Sequence, residues 1–446
     1  MIMNGRIADE LALAGNNVTL LDVELIIKTS EFKSANHAKI KSIGPFPNEE
    51  FVKAGSLFRH AFEGSFSKFE HFRGYLAYHK AFNGLCEVLL RDHKEALEEL
   101  KHEKYDIIFA EQVNLCGLAL KEALNIKTHF WISAMPIMDH VGWILGVPTP
   151  LSYVPSVGEL NISDNITYFE RIQNIVEYIG NTYVYLEGIR ETTRIFRKYY
   201  GQNFPDVEQI ARDSPITFVL ADEFLDFPRP ILHNTIYIGG LGIKSDTKGL
   251  QEPYKSEMEK GKNGLVYFSF GSSVKTNNIP KEFKQNLLEA FKMMPDYHFL
   301  VKIDKGDEEF ESLAKPISNL FTFQWAPQTD ILSHSRLKAF ITHGGYNSLI
   351  ESARAGVPII TLPFVLDQWR NGRVAERNGW GITFDKKKLL FGPKEFLDAI
   401  KTILQNHSYQ EKAQRTKRLI LSKPFNSTEK LIKYHLWEEI RVQYPV

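Results

Sequence analysis

Apolar positions along the chain follow two periods that take turns: short β-branched runs, and longer stretches in which apolar residues recur every three or four positions. From Asn4 to Leu13 small and apolar residues fall at helical spacing, Gly15 stops the pattern, and Val18-Thr-Leu-Leu predicts a strand. Phe51 to Leu100 is aromatic and charged with few breakers and predicts helices. Tyr105-Asp-Ile-Ile-Phe-Ala predicts a buried strand ending at Glu111, a helix follows over 117–124, and Thr128-His-Phe-Trp-Ile-Ser predicts the next strand. Residues 136–165 carry Pro136, Pro148, Pro150 and Pro155 with several glycines, so an irregular excursion of the sort that shapes a pocket is expected there. Helix returns from Phe169 to Tyr200, and Ile216-Thr-Phe-Val-Leu-Ala predicts another strand.

Phe224-Leu-Asp-Phe-Pro-Arg-Pro and Tyr237-Ile-Gly-Gly-Leu-Gly are rich in turn residues and mark a boundary near residue 240. Beyond it the alternation restarts with Gly264-Leu-Val-Tyr-Phe-Ser-Phe-Gly-Ser-Ser, a strand running into a small-residue turn. Helix 281–293, strands 297–303 and 319–324, helix 329–334, strand 337–342, helix 347–355 and strand 357–362 follow. Such alternation predicts an α/β protein with doubly wound parallel sheets, and its restart predicts two Rossmann-like domains facing across a cleft at the C-terminal ends of their strands. The first unit opens on its helix, whereas a parallel sheet is ordinarily entered through a strand whose C-terminal loop carries chemistry. The expectation is a first domain lacking its opening strand, which leaves apolar surface and unpaired backbone.

With 446 residues and 43% hydrophobic content the chain can bury large cores. Lys plus Arg (54) balance Asp plus Glu (54), so no overall field draws in a polyanion, and nucleic acid is not an expected partner. Cys86 and Cys116 are too few for a disulfide framework or a zinc cluster; two buried apolar thiols are expected, with a single bridge as the alternative. The first residues lack a long apolar signal core, and no run approaches the ~20 apolar residues that span a bilayer. Sequons at Asn17, Asn161, Asn165, Asn406 and Asn426 matter only in a secretory lumen. The acidic patch Asp304, Asp307, Glu308, Glu309 is expected to be a solvated loop rather than a metal site.

The chemistry concentrates between Phe323 and Gln368. In Ala339-Phe-Ile-Thr-His-Gly-Gly-Tyr-Asn-Ser an apolar run stops at a glycine turn and a helix begins near Asn347. Backbone N–H groups in the first turn of a helix have no intrahelical partner and the helix dipole favours negative charge there, so a diphosphate can sit on them. Gly344 and Gly345 let the backbone come close. No P-loop Lys is present, so neutralisation is expected from amides, hydroxyls and His343. Taken alone, the turn is equally a structural one closed by a capping Ser or Asn. Glu351 lies four residues after Asn347 on the same helical face, where it can accept sugar hydroxyls; an exposed helical acid is the alternative. Trp325 and Gln328 offer a stacking face and a bidentate amide for a base edge, against the alternative of a core Trp. Asp367 and Gln368 again place an acid and an amide at a strand's C-terminal end.

Trp325-Ala-Pro-Gln, Thr342-His-Gly-Gly-Tyr-Asn-Ser, Glu351, Gly356-Val-Pro and Asp367-Gln closely resemble the signature of UDP-glycosyltransferases of the UDP-glucuronosyltransferase type, particularly nematode-like members. Asn4-Gly-Arg-Ile-Ala-Asp, Ala110-Glu-Gln-Val-Asn-Leu-Cys-Gly and Pro148-Thr-Pro-Leu-Ser-Tyr-Val-Pro extend the resemblance to the first half. The resemblance implies a GT-B fold with an acceptor-binding domain at 1–240, a UDP-sugar domain at 241–425 and a helix at 426–446 crossing back. It implies that Trp325 stacks on uracil, Gln328 meets its edge and Glu351 holds the ribose. Ser272, His343, Gly345, Asn347 and Ser348 are then the diphosphate residues, and Asp367 and Gln368 contact the sugar.

The implied reaction is an inverting displacement in which a hydroxyl of a small lipophilic acceptor attacks a UDP-linked hexose or hexuronic acid, giving a β-glycoside and UDP. No metal or other cofactor is expected, and no Asp-x-Asp occurs. The family's base is a His just before the helix that here begins at Asn4, and no His precedes His37; its orienting acid corresponds to Glu111. The alternative is therefore a UDP-sugar-binding homologue without turnover. The family's place in the endoplasmic reticulum membrane and in xenobiotic metabolism is implied too, while its signal peptide and membrane helix have no counterpart in this stretch, which reads as shortened at both ends. Homo-oligomerisation stays open.

Overall fold

The computed structural model describes residues 2–23, 33–44, 46, 62, 68–243, 249–272 and 274–443. Residues 51–61 and 63–67 of the expected helical stretch, and 444–446 of the expected closing segment, lie outside them. All strand pairs among the described residues are parallel. β1 (Thr19–Val23) pairs with β2 (Lys39–Ile43). β3 (Ile107–Glu111), β4 (Thr128–Ser133), β5 (Ile216–Val219) and β6 (Thr235–Tyr237) form a sheet in that order. β7 (Leu265–Ser269), β8 (His298–Lys302), β9 (Leu320–Phe323), β10 (Leu337–Thr342), β11 (Ile359–Thr361) and β12 (Gly381–Thr383) form a six-stranded sheet in the order β12-β11-β10-β7-β8-β9.

The long apolar runs became central strands because a parallel sheet is covered on both faces. Every residue of β4, β5, β7 and β8 is buried. β3 departs from the expected buried strand: only Ala110 is buried, because β3 is the edge of its sheet and no described strand joins it to β1. Helix Ile2–Leu13 lays Met3, Ile7 and Leu11, spaced four apart, against Phe130, Ile132, Ile216 and Phe218. Helix Ser427–Gln443 returns to the same core through Leu431, with Ser427 Oγ donating to the Gly239 carbonyl at 2.7 Å.

Three expectations change. The excursion at 136–165 contains a helix, Asp139–Leu145, ended by Gly146 in the left-handed region (φ 72°) and followed by Pro148. Asp139 then accepts from Ser156 Oγ and from Asn181 Nδ2 at 3.3 Å, which folds the rest of the excursion back onto helix Tyr168–Tyr200. The acidic patch is solvated only in part: Glu308 and Glu309 are exposed, but Asp307 caps helix Glu308–Ala314 and pairs with Lys284 at 2.9 Å, both side chains almost wholly buried, and Asp304 accepts from Thr276 N. Among the described residues no cluster of His, Cys, Asp or Glu is placed to hold a metal.

Cys86 and Cys116 are joined in a disulfide with a Cα–Cα distance of 6.0 Å, not left as two thiols. The bridge ties helix Lys68–Asp92 to the first residue of helix Cys116–Ala123, a juxtaposition that a 30-residue separation does not reveal. Alkylation of the unfolded chain is expected to add no label before reduction and two after; labelling of both thiols in unreduced protein would contradict the bridge. No described helix is long and apolar enough to cross a membrane.

Candidate nucleotide-sugar site

In the six-stranded sheet the winding reverses between β7 and β10, and the crevice at that switch point is where open α/β sheets hold ligands. Two glycine loops meet there. Gly271 (φ 71°) follows β7 and Gly344 (φ 87°) follows β10, both in the left-handed region open to glycine. A Cβ on Gly271 would stand 2.8 Å from His343 Cε1, and one on Gly345 2.5 Å from His343 Nε2, so both loops close on the imidazole only as glycine. Ser272 sits exposed in the turn after β7.

Gly345 is the N-cap of helix Tyr346–Ala355, and no side chain caps it. The expected alternative, a turn closed by Ser or Asn, is therefore not what the chain adopts, and the first-turn amides have no side chain serving them. Ser348 is buried in that turn, and the buried Asn347 Oδ1 has no hydrogen-bond partner. His343 brings no charge: burial, then the nearby Lys302 ammonium, push its pKa down to about 4, so at neutral pH the ring only shares hydrogen bonds. A cation stands beside the ring in Lys302, the last residue of β8, whose Nζ donates to the Gly271 carbonyl and pairs with Asp304 at 3.3 Å. Its signal was a lone basic residue ending an apolar strand beside the switch point.

On one side of this turn lie the residues expected to meet a nucleoside. Trp325 is 57% exposed, which excludes the core alternative, and its carbonyl accepts from the Tyr254 hydroxyl. Glu351 is buried rather than an exposed helical acid. Gln328 Nε2 donates to Glu351 Oε2 at 2.8 Å, Tyr267 Oη donates to Gln328 Oε1 at 3.2 Å, and Arg6 Nη2 donates to Glu351 Oε1 at 2.9 Å. Tyr267 and Arg6 were not expected there.

On the other side stands the loop after β11. Gln368 Oε1 accepts from Phe364 N (2.7 Å) and Val365 N (3.3 Å), which fixes the orientation of its amide. Asp367 is buried and accepts from Asn371 Nδ2 at 2.7 Å; burial raises its pKa to about 6. Asn371 Nδ2 also donates to the Gly344 carbonyl at 2.9 Å, locking this loop to the glycine turn. The first half of the chain abuts it, since Leu366 N donates to Glu159 Oε1 (3.2 Å) and Arg370 pairs with Asp226.

Glu111 stands elsewhere, at the C-terminal end of β3. Its oxygens accept from Val113 N (2.8 Å) and Ala134 N (3.2 Å), and burial raises its pKa above the usual carboxylate value.

Two parallel-sheet halves joined over a cleft, with a closing helix that returns to the first, define the GT-B fold. A glycotransferase of kitacinnamycin matches with a TM-score of 0.64 at 18% identity, over 97% of this chain and 94% of that one. CalG4, the calicheamicin glycosyltransferase, matches with a TM-score of 0.60 at 16% identity, over 99% and 94%. The model of the family described as UDP-glucoronosyl and UDP-glucosyl transferase matches residues 1–435, and the chain belongs to that family. A Caenorhabditis elegans protein named "Putative UDP-glucuronosyltransferase ugt-47" is 41% identical over 440 residues, which span 98% of this chain and 81% of the relative. UDP-glucuronosyltransferase 1A6 of Mus musculus is 28% identical over 383 residues, 85% of this chain and 67% of that protein. The class is therefore that of enzymes transferring a glycosyl group from a UDP-sugar.

Proposed function

We propose that the chain carries out inverting transfer of a hexose or hexuronic acid from a UDP-sugar to a hydroxyl of a small lipophilic acceptor. The observation that carries this reading is the uncapped N-terminus of helix Tyr346–Ala355 at the switch point, with Trp325, Gln328 and Glu351 on one flank and Asp367 and Gln368 on the other. Trp325 stacks on uracil, Gln328 meets its edge and Glu351 accepts from the ribose. Ser272, Gly345, Asn347 and Ser348 take the diphosphate, with Lys302 beneath it and neutral His343 as a hydrogen-bonding neighbour. Asp367 and Gln368 hold the sugar. The departing diphosphate gains negative charge, and amides and a cation fixed beforehand stabilise it without reorganising.

Residues 1–240 form the acceptor side in this reading, 241–425 the donor side, and 426–446 the strap between them. Glu111 is in this reading the acid that would orient a base for the acceptor's proton, and the family's base is a His placed before the chain's first helix. A second reading, binding without turnover, draws on Glu111 itself, since both its oxygens accept backbone N–H groups and no described imidazole is hydrogen-bonded to it. UDP release in the presence of a phenolic acceptor separates the two. The disulfide favours an oxidising compartment, in keeping with the lumenal side of the endoplasmic reticulum membrane.

Calorimetric titration tests the donor site. UDP is expected to bind, and Trp325→Ala to weaken it about fivefold, the low end of what one stacked base contributes. No heat with millimolar UDP would refute the site, and unchanged affinity in the variant would refute the stacking role.

A further inference from the structure

The ion pair between Arg6 and Glu351 joins residues 345 positions apart, and it joins the first helix of the chain to the carboxylate read above as the ribose holder. Glu351 is 8% exposed and Arg6 20%. A buried carboxylate needs a compensating charge and filled lone pairs. Arg6 supplies the charge on Oε1, and Gln328 Nε2 fills a position on Oε2. An ionised carboxylate offers about four acceptor positions. Two remain, one on each oxygen, and a vicinal diol presents two donors. The pair therefore leaves each carboxylate oxygen one acceptor position, together as many as a vicinal diol has donors.

The surroundings hold Arg6 in that pose. Gly242 lies in the left-handed region (φ 67°), and a Cβ there would stand 2.9 Å from Arg6 Cγ, so the side chain's stem passes through space that only glycine leaves open. Arg6 also lies near the half-buried Arg354, like-charged company that makes its anionic partner more necessary. Helix Ile2–Leu13, on which Arg6 sits, packs its apolar face on β4 and β5 of its own half, so the ion pair reaches from that half to the helix carrying Glu351.

We propose that Arg6 is a positioning residue for the donor: it orients Glu351 for the ribose diol and so ties the first helix of the acceptor half to occupancy of the nucleotide site. The proposal rests on the reading of Glu351 as the ribose ligand.

The test is calorimetric titration of the full chain with UDP and with 2′,3′-dideoxy-UDP, which lacks the diol. Arg6→Met, which keeps the apolar stem, is expected to weaken UDP about threefold to fivefold and leave the dideoxy analogue within twofold of the parent, the loss of one charge-assisted hydrogen bond acting through Glu351. Arg6→Lys, a second variant that keeps the charge without the planar fork, is expected to fall between the two. Equal weakening of both ligands would mean a packing role, tighter UDP would mean that Arg6 obstructs the site, and either overturns the proposal. Glu351→Ala separates the two layers. If it weakens UDP and the dideoxy analogue equally, the ribose reading falls and the proposal with it. If it weakens UDP selectively while the Arg6 variants do not, only the proposal falls.

Discussion

Replacing Arg370 by alanine is expected to destabilise the fold by about 3–5 kcal/mol, the cost of stranding one member of a buried ion pair. Arg370 and Asp226 are 1% and 3% exposed, and they belong to different halves of the chain. The guanidinium also donates through Nε to the Pro155 carbonyl at 3.3 Å and lies 5.0 Å from the centre of the Phe227 ring. The pair thus clamps the helix that begins at Gln368 to the turn-rich boundary and to the excursion. Truncation leaves the Asp226 carboxylate buried and without its cation, with Phe227 N at 2.7 Å as its remaining hydrogen-bond donor among the described residues. Urea unfolding measures the loss. A double replacement, Arg370→Met with Asp226→Leu, is expected to cost less than Arg370→Ala alone, because two apolar side chains of similar volume leave no charge behind. A loss below about 1 kcal/mol in the single variant would mean that the pair is solvated in solution, and the clamp would not exist.

What could be read in advance divides by distance along the chain. The central strands were legible because burial on both faces writes itself as an unbroken apolar run, as in β4, β7 and β10. β2, β6 and β12 were not, since none carries such a run: Lys39–Ile43 is mostly exposed, and Thr235–Tyr237 and Gly381–Thr383 are three-residue strands beside turn residues. The site followed the same rule. Trp325, Gln328, His343, Asn347, Glu351, Asp367 and Gln368 all lie in the loop or the helix that directly follows a strand, within nine residues of its C-terminal end, and the local pattern pointed to them. Tyr267, Lys302 and Arg6 reach the same place from β7, β8 and the first helix, and only the sheet order and the packing of the two halves bring them there. The charge state of His343 was illegible for a related reason: it depends on Gly271 and Lys302, from other strands, closing over the ring. Cys86 and Cys116 likewise meet from two helices whose approach no local pattern records.

Donor affinity is expected to fall about tenfold between pH 7 and pH 5 through Asp367. Burial raises this carboxyl from the usual 3.8 to about 6 in the empty site, so at pH 5 it is mostly protonated. A sugar hydroxyl donates to the ionised form, and if only that form binds, affinity drops by a factor of 1 + 10^(6 − pH), about elevenfold at pH 5 and close to one at pH 7. Fold stability carries the opposite sign. An acid whose folded pKa is raised holds its proton more tightly in the native state, so its contribution is most favourable at low pH and declines as pH rises from about 3.8 to about 6. Donor binding and stability should therefore trend in opposite directions across one window. His343, already neutral above pH 5, does not add to it. UDP makes a poor reference ligand because its terminal phosphate titrates near pH 6. The informative quantity is the ratio of UDP-glucose affinities in the parent chain and in Asp367→Asn, which cancels changes in the ligand itself. That ratio is expected to shrink about tenfold from pH 7 to pH 5, and a ratio flat across the window would show that Asp367 does not accept from the sugar.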